Sequence, residues 1–445
     1  MENNTQLKEM IRSMVIDVLQ GQKQETASSQ SVKQVSRGQE PGVFDTVDEA
    51  IRAAKEAQLR FEDCTLATRE KVIADIRAAM RPRVQELAQK TVEETGMGRV
   101  ADKVLKLNLT LNKTPGVEDL VTECETGDNG MTLYELSAYG VIGAITPSTN
   151  PAETLICNSI GMLAAGNAIF FSVHPGAKNL SRELVSELNQ VIAKSIGIEN
   201  LIVTLREPSI ESAQEMMLHP DVSLLVVTGG PGVVKQALQS GKKVIGAGAG
   251  NPPAFVDETA DIKKAAQDIV LGASLDNNIL CIAEKSVVAM RQIEPQLVQE
   301  MVKVGCVLVD NQQDIQRLVD LTVLPNGRPN KQFVGKNASV ILDAAHIPYN
   351  GDPRLIILRT PKDHPFAVIE MLMPILPVIT VDSFDEGLNV CLMLEAGLHH
   401  TATMHSLNME RLNQMARKMK TSIFVKNGPS YAGLGFSGEG TTTFT

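Results

Sequence analysis

Tryptophan is absent from this 445-residue chain, and aromatic residues make up only 3% of it, too few for the stacking platforms of single-stranded nucleic-acid binders. Positive charge is also short. The 42 Lys and Arg against 52 Asp and Glu leave a formal net charge of −10, which argues against the basic stripe of a general nucleic-acid binder. No apolar run reaches the ~18 residues of a membrane span, and the N-terminus lacks the basic-then-apolar pattern of a secretory signal. The six cysteines (Cys64, Cys124, Cys157, Cys281, Cys306 and Cys391) form no CxxC pair. They read as thiols of a reducing compartment, most of them structural and one a candidate for reactivity. What remains is 43% hydrophobic and 21% charged, the balance of a cytoplasmic α/β protein of about two or three domains.

Residues 1–20 place Leu7, Met10, Ile11, Met14, Val15 and Leu19 at helical spacing, with Lys8, Arg12 and Asp17 between them, which predicts an amphipathic helix. Residues 21–42, rich in Gln, Ser, Lys and Glu, read as a flexible linker. A short helix on a tether is marginal alone and docks either on a partner or on its own domain.

Helical patterning runs from Thr46 to about Leu111. From Val141 short β-branched runs alternate with helical ones: strands at Val141–Thr146, Ala168–Val173, Leu201–Thr204, Val222–Thr228 and Lys243–Ala247. A second alternating series starts near Ala254. Such alternation predicts parallel, helix-covered sheets with ligands at the strand-to-helix loops. Met131–Tyr139 and Gly440–Thr445 are β-prone and lie outside both series, so they are expected to pair with each other as a small protruding sheet, a natural oligomer contact.

Five stretches carry candidate chemistry. Cys281 closes the polar loop Ser274-Leu-Asp-Asn-Asn-Ile-Leu-Cys281, where a thiol can be accessible and hence nucleophilic, although a lone Cys is more often a buried small hydrophobe. Thr146-Pro147-Ser-Thr-Asn150-Pro151 is a rigid turn whose Asn amide could donate to an oxyanion or simply form the turn. Val227-Thr228-Gly229-Gly230-Pro231-Gly232 lies between a strand and a helix, where backbone N–H groups and the helix dipole suit a pyrophosphate. Gly246-Ala-Gly248-Ala-Gly250 permits close backbone approach to a ligand or a tight corner. Glu370, in Glu370-Met-Leu-Met-Pro374, is a carboxylate in apolar company, either functional or ion-paired.

In this order, and with Leu163-Ala-Ala-Gly-Asn167 and Leu434-Gly-Phe-Ser-Gly-Glu-Gly-Thr441, the motifs resemble the aldehyde dehydrogenase superfamily, in particular the CoA-acylating propionaldehyde/acetaldehyde dehydrogenases of bacterial microcompartments. The resemblance covers about Val43 to Phe444. It implies a Rossmann-like cofactor domain (43–120 and 141–253), an α/β catalytic domain (254–430), and bridging or oligomerisation segments (121–140 and 431–445). It also implies a homo-oligomer, dimer or tetramer, inside a microcompartment, with residues 1–20 as a targeting helix for the shell or other cargo.

By the same resemblance Cys281 is the nucleophile and Asn150 supplies the oxyanion amide. Thr146, Pro147, His174, Pro175, Thr228, Gly229, Gly232, Gly248 and Glu370 bind NAD, with NADP an open alternative, and coenzyme A is the acyl acceptor for a small aldehyde. Hydrolytic relatives carry a Glu in the stretch that here reads Gly246–Gly250. With no acid to activate water the thioester should persist for a thiol, which is far more acidic than water. The rivals are a hydrolytic NAD(P)-dependent aldehyde dehydrogenase and an inactive shell-binding adaptor. His399, His400 and His405 stand either near the active site or, as the commoner role, in core or surface packing, which is the expectation here.

Overall fold

The computed structural model describes residues 40–444, and the expected helix and most of its linker lie outside them. Helices occupy Val47–Glu62, Leu66–Met80, Val84–Thr95 and Val100–Lys113, and Thr46 and Thr65 cap the first two by accepting backbone N–H groups, as N-cap hydroxyls do.

Strand β1 (Val43–Phe44) precedes these helices, and a hairpin of β2 (Glu123–Gly127) and β3 (Gly130–Tyr134) follows them. Then come β4 (Val141–Ile145), β5 (Ala168–Ser172), β6 (Ile202–Leu205), β7 (Val222–Thr228) and β8 (Lys243–Ala247). Together with β1 they form a six-stranded parallel sheet in the order β1-β6-β5-β4-β7-β8. Every residue of β4, β5 and β6 is buried, as expected of strands covered on both faces.

The order reverses between β4 and β7, and such a switch point opens a crevice at the carboxyl ends of the strands.

Residues 248–252 lead directly into a second parallel sheet. Its strands are β9 (Pro253–Val256), β10 (Ser286–Met290), β11 (Cys306–Leu308), β12 (Leu355–Arg359), β13 (Ile375–Val381), β14 (Thr401–His405) and β15 (Ile423–Lys426), in the order β11-β12-β13-β10-β9-β14-β15. The short crossover brings the carboxyl edge of the first sheet to the amino edge of the second.

The expected pairing of 131–139 with 440–445 is not formed among the described residues. Met131 pairs with Thr126 in the hairpin, because Asp128 and Asn129 close a two-residue turn and make the nearest partner a local one. The tail packs inward instead. Phe444 is buried, its N–H faces the Cys157 Sγ at 3.4 Å, and its carbonyl accepts the Thr154 hydroxyl.

Candidate active site

Four of the expected cofactor contacts meet on one edge. Thr146 follows β4, His174 follows β5, Thr228 ends β7 and Gly248 follows β8, so all lie at carboxyl ends of parallel neighbours, around the switch point. The hydroxyls of Thr146 and Thr228 are buried there without a hydrogen-bond partner, and a buried hydroxyl left unpaired is costly unless a ligand completes it. The helix Pro231–Leu238 begins at Gly230 with no side-chain cap; Pro231 has no N–H and the Val233 N–H turns to the Gly230 carbonyl at 3.2 Å, which leaves the Gly232 N–H at the helix start to meet an anion. A Cβ at Gly232 or Gly248 would meet nothing within 4 Å, so the protein's own packing does not fill that space. Pro147 and Pro175 continue the turns after β4 and β5, and the His174 Nδ1 accepts the Gly176 N–H at 3.0 Å. These residues fit a dinucleotide.

The second half of the site is the loop before β10. Asp276, Asn277 and Asn278 adopt φ of 50°, 55° and 66° in succession, a left-handed run that short polar side chains tolerate best. Their side chains hold it. Asn277 donates to the Gly335 carbonyl and the Asn337 Oδ1, and Asn278 donates to the Ala273 and Glu284 carbonyls.

Asp276 anchors the loop to the helix Val100–Lys113. Its Oδ2 takes the Lys103 and Lys106 ammonium groups at 2.9 and 2.5 Å, all three residues being fully buried. Lys103 also donates to the Thr149 carbonyl, and Lys106 donates to the Asn150 Oδ1 at 2.5 Å and forms an ion pair with the Glu153 carboxylate at 3.0 Å. Burial works against the charge on Asp276, but Lys106 and Lys103 hold its carboxyl below the usual range. The buried ions thus tie the Asn150 turn to the Cys281 loop.

Removing one partner from such a network leaves uncompensated charge. Asp276→Ala is expected to destabilise the fold by about 3–5 kcal/mol. Denaturant unfolding checks this, and a loss below about 1 kcal/mol would mean the network carries little.

Cys281 is partly exposed, yet the surrounding protein disfavours its thiolate and pushes the thiol up to about 11. Glu370 adds to that rise; Lys285 and the backbone N–H groups of Cys281 and Ile282 oppose it. The Gly250 N–H donates to the Glu370 Oε1 at 3.3 Å. A Cβ at Gly250 would lie 2.8 Å from the Cys281 carbonyl and 2.9 Å from the His400 ring, so only glycine permits this approach.

Cys281, Glu370, Gly250 and His400 therefore converge from the amino ends of β10, β13, β9 and β14. The other thiols are elsewhere: Cys157, Cys306 and Cys391 are buried, Cys64 is half-buried, and Cys124 is exposed on the hairpin.

Asn150 caps the helix Pro151–Ala164 with its backbone. Its Oδ1 is committed to Lys106, while its Nδ2 donates to the Thr149 hydroxyl at 3.2 Å and retains a second N–H. Of the histidines, His399 is exposed and His405 buried, its ring driven down to about 4 by burial. His400 instead stands beside Gly250 and Cys281. Sequence reasoning passed over His400 as a site residue, and missed Lys103, Lys106 and Lys285 altogether. The pattern His399-His400-Thr401 at a strand start was visible, but not what it faces.

A dinucleotide crevice on one sheet edge, opposed by a loop cysteine and a carboxylate on the edge of a second sheet, defines a cysteine-dependent, nicotinamide-linked dehydrogenase. The aldehyde dehydrogenase family model matches residues 22–443, and the chain belongs to that family. It is 50% identical over 444 residues to a propanal dehydrogenase (CoA-propanoylating) of Salmonella typhimurium, covering 100% of this chain and 93% of the relative. A crystal structure of Rhodopseudomonas palustris propionaldehyde dehydrogenase, with bound CoA and an acylated cysteine, has a TM-score of 0.89 and 47% identity, covering 91% of this chain and 92% of that one. A propionaldehyde dehydrogenase from the Clostridium phytofermentans fucose utilisation bacterial microcompartment is equally similar, with a TM-score of 0.89 and 47% identity, covering 91% and 93%. The fold is that of the aldehyde dehydrogenases.

Proposed function

We propose that the chain oxidises a short-chain, propionaldehyde-like aldehyde and transfers the acyl group to CoA. The carrying observation is the convergence of Cys281 and Glu370 beside an acid-free Gly246–Gly250 stretch. In this reading the Cys281 thiolate adds to the aldehyde carbonyl, and the Asn150 amide and the Cys281 N–H receive the oxyanion. NAD held in the crevice would supply the hydride acceptor when that adduct collapses. Glu370, held by the Gly250 N–H, would orient its nicotinamide ribose. The Thr146-Pro147 turn, His174-Pro175, Thr228, Gly229, Gly232 and Gly248 would hold the rest of the dinucleotide. A thioester then remains on Cys281; the CoA thiol attacks it, and the Cys281 thiolate leaves. Product analysis over two- to four-carbon aldehydes tests the reading, with acyl-CoA rather than free acid expected.

No helix among the described residues is long and apolar enough to cross a membrane, and we place the enzyme in the cytoplasm, inside a microcompartment. The 43–120 and 141–253 segments serve as cofactor domain and 254–430 as catalytic domain. The hairpin, with exposed Met131, Leu133 and Tyr134, is the proposed contact with a second copy. Residues 1–20 are proposed to bind the shell or other cargo. Deleting residues 1–21 should therefore leave soluble, active enzyme but end its co-sedimentation with shell particles. An unfolded or dissociated truncate would make that segment structural and defeat the targeting idea.

A further inference from the structure

Lys285 is a lysine with 3% of its surface exposed, placed just before β10 and used by none of the steps above. Burying an ammonium is costly unless every donor is paired. Here the three N–H donors meet three acceptors: the Asn278 carbonyl at 2.7 Å, the Asn278 Oδ1 at 2.7 Å and the Leu280 carbonyl at 3.0 Å. Its own backbone N–H is fixed on the Pro252 carbonyl at 2.8 Å. All three side-chain acceptors belong to the loop that ends at Cys281. The last is especially placed, because the Leu280 carbonyl and the Cys281 N–H are the two ends of one peptide unit. A cation on that carbonyl polarises the unit and strengthens the N–H as a donor.

We propose that Lys285 is the positioning residue of the nucleophile: its buried ammonium locks the Asn278–Leu280 carbonyls, aligns and polarises the Leu280–Cys281 peptide, and sets a positive charge against the Cys281 thiolate. The charged and titratable groups facing the pair are Glu370, Glu284 and His400. Glu370 raises the Cys281 thiol and Lys285 lowers it, so the two charges work in opposition. Burial brings Lys285 itself down to about 8, with Glu370, Cys281 and Glu284 opposing the fall, so its charge acts on the thiol near neutral pH and is lost before the higher range to which Cys281 is pushed. The inference rests on Cys281 as nucleophile but not on CoA as acceptor.

Alkylation tests it without turnover. Iodoacetamide modification of Cys281 in the full chain, followed by peptide mass spectrometry at about pH 7, where Lys285 carries its charge, reads the reactive thiolate fraction directly. In Lys285→Met the alkylation rate at that pH should fall by about tenfold or more, and in Lys285→Arg it should stay within about threefold of wild type, the charge being kept. Lys285→Gln, neutral but still able to donate to the loop carbonyls, carries the same expectation if the Met variant misfolds. A rate in either neutral variant within about twofold of wild type overturns the proposal. Failure of both to fold, while the Arg variant folds, reduces Lys285 to a structural role and overturns it equally. Wild-type enzyme that releases free acid in place of acyl-CoA, with these rate differences intact, would instead count against the acyl-transfer reading.

Discussion

Cys281→Ala is expected to lower aldehyde oxidation by about a thousandfold or more, while dinucleotide binding remains measurable. Removing a covalent nucleophile removes the path itself, not one contribution to it. Binding survives because the residues around the dinucleotide crevice lie on the carboxyl edge of the first sheet, and Cys281 precedes β10 in the second. Steady-state turnover and a fluorescence titration with the nicotinamide cofactor separate the two effects. A variant that keeps a tenth of wild-type turnover would sink the assignment.

The other cysteines supply the control. Cys306 and Cys391 are buried, and burial pushes the thiol of Cys306 up to about 12 and that of Cys391 higher still. They should accept replacement by Ser or Ala with activity kept. Cys157 is the sharper case, since its Sγ meets the Phe444 N–H and its side chain belongs to the apolar cluster packed against Cys281. Loss of activity in a folded Cys157 variant would point to the wrong thiol.

The sequence carried the strand–helix alternation because buried parallel strands such as β4 and β5 are continuous apolar runs bounded by turn formers. It carried β2 poorly. Glu123-Cys-Glu-Thr-Gly127 has every residue exposed, so neither face shows the alternation that betrays a half-buried strand.

The residues proposed to hold the cofactor could be picked out together because they sit in local strand–turn–helix motifs, which the fold brings to one sheet edge. The buried ions were not. Lys103 and Lys106 lie three apart on an amphipathic helix, where charge ordinarily marks the solvated face. Only the fold reveals that Asp276, 173 residues from Lys103, and Glu153 neutralise them. His400 and Lys285 were hidden for the same reason: each is an unremarkable polar residue at a strand start until other strands bring Gly250, Glu370 and Cys281 alongside.

Omitting CoA should expose the chemistry of the missing base. Enzyme, aldehyde and oxidised cofactor alone are expected to give one fast burst of reduction, about one equivalent per active subunit, and then near-arrest as the thioester accumulates. Water needs a general base to attack a thioester at a useful rate, and Gly246–Gly250 contains no acid. The carboxylates that could substitute are largely committed. Glu258 holds Arg411 through both oxygens at 2.8 Å. Glu284, raised to about 7 by burial, accepts the Ser430 N–H and hydroxyl at 2.8 and 2.7 Å. Glu370 faces Cys281 but is held by the Gly250 N–H. Adding CoA should restore steady turnover and release acyl-CoA, because a thiol brings its own acidity to the attack. Steady CoA-free turnover with carboxylic acid as product would reverse the reading: the chain would be a hydrolytic aldehyde dehydrogenase, and Glu370, the carboxylate that faces Cys281, would be the first base to replace, as Glu370→Gln.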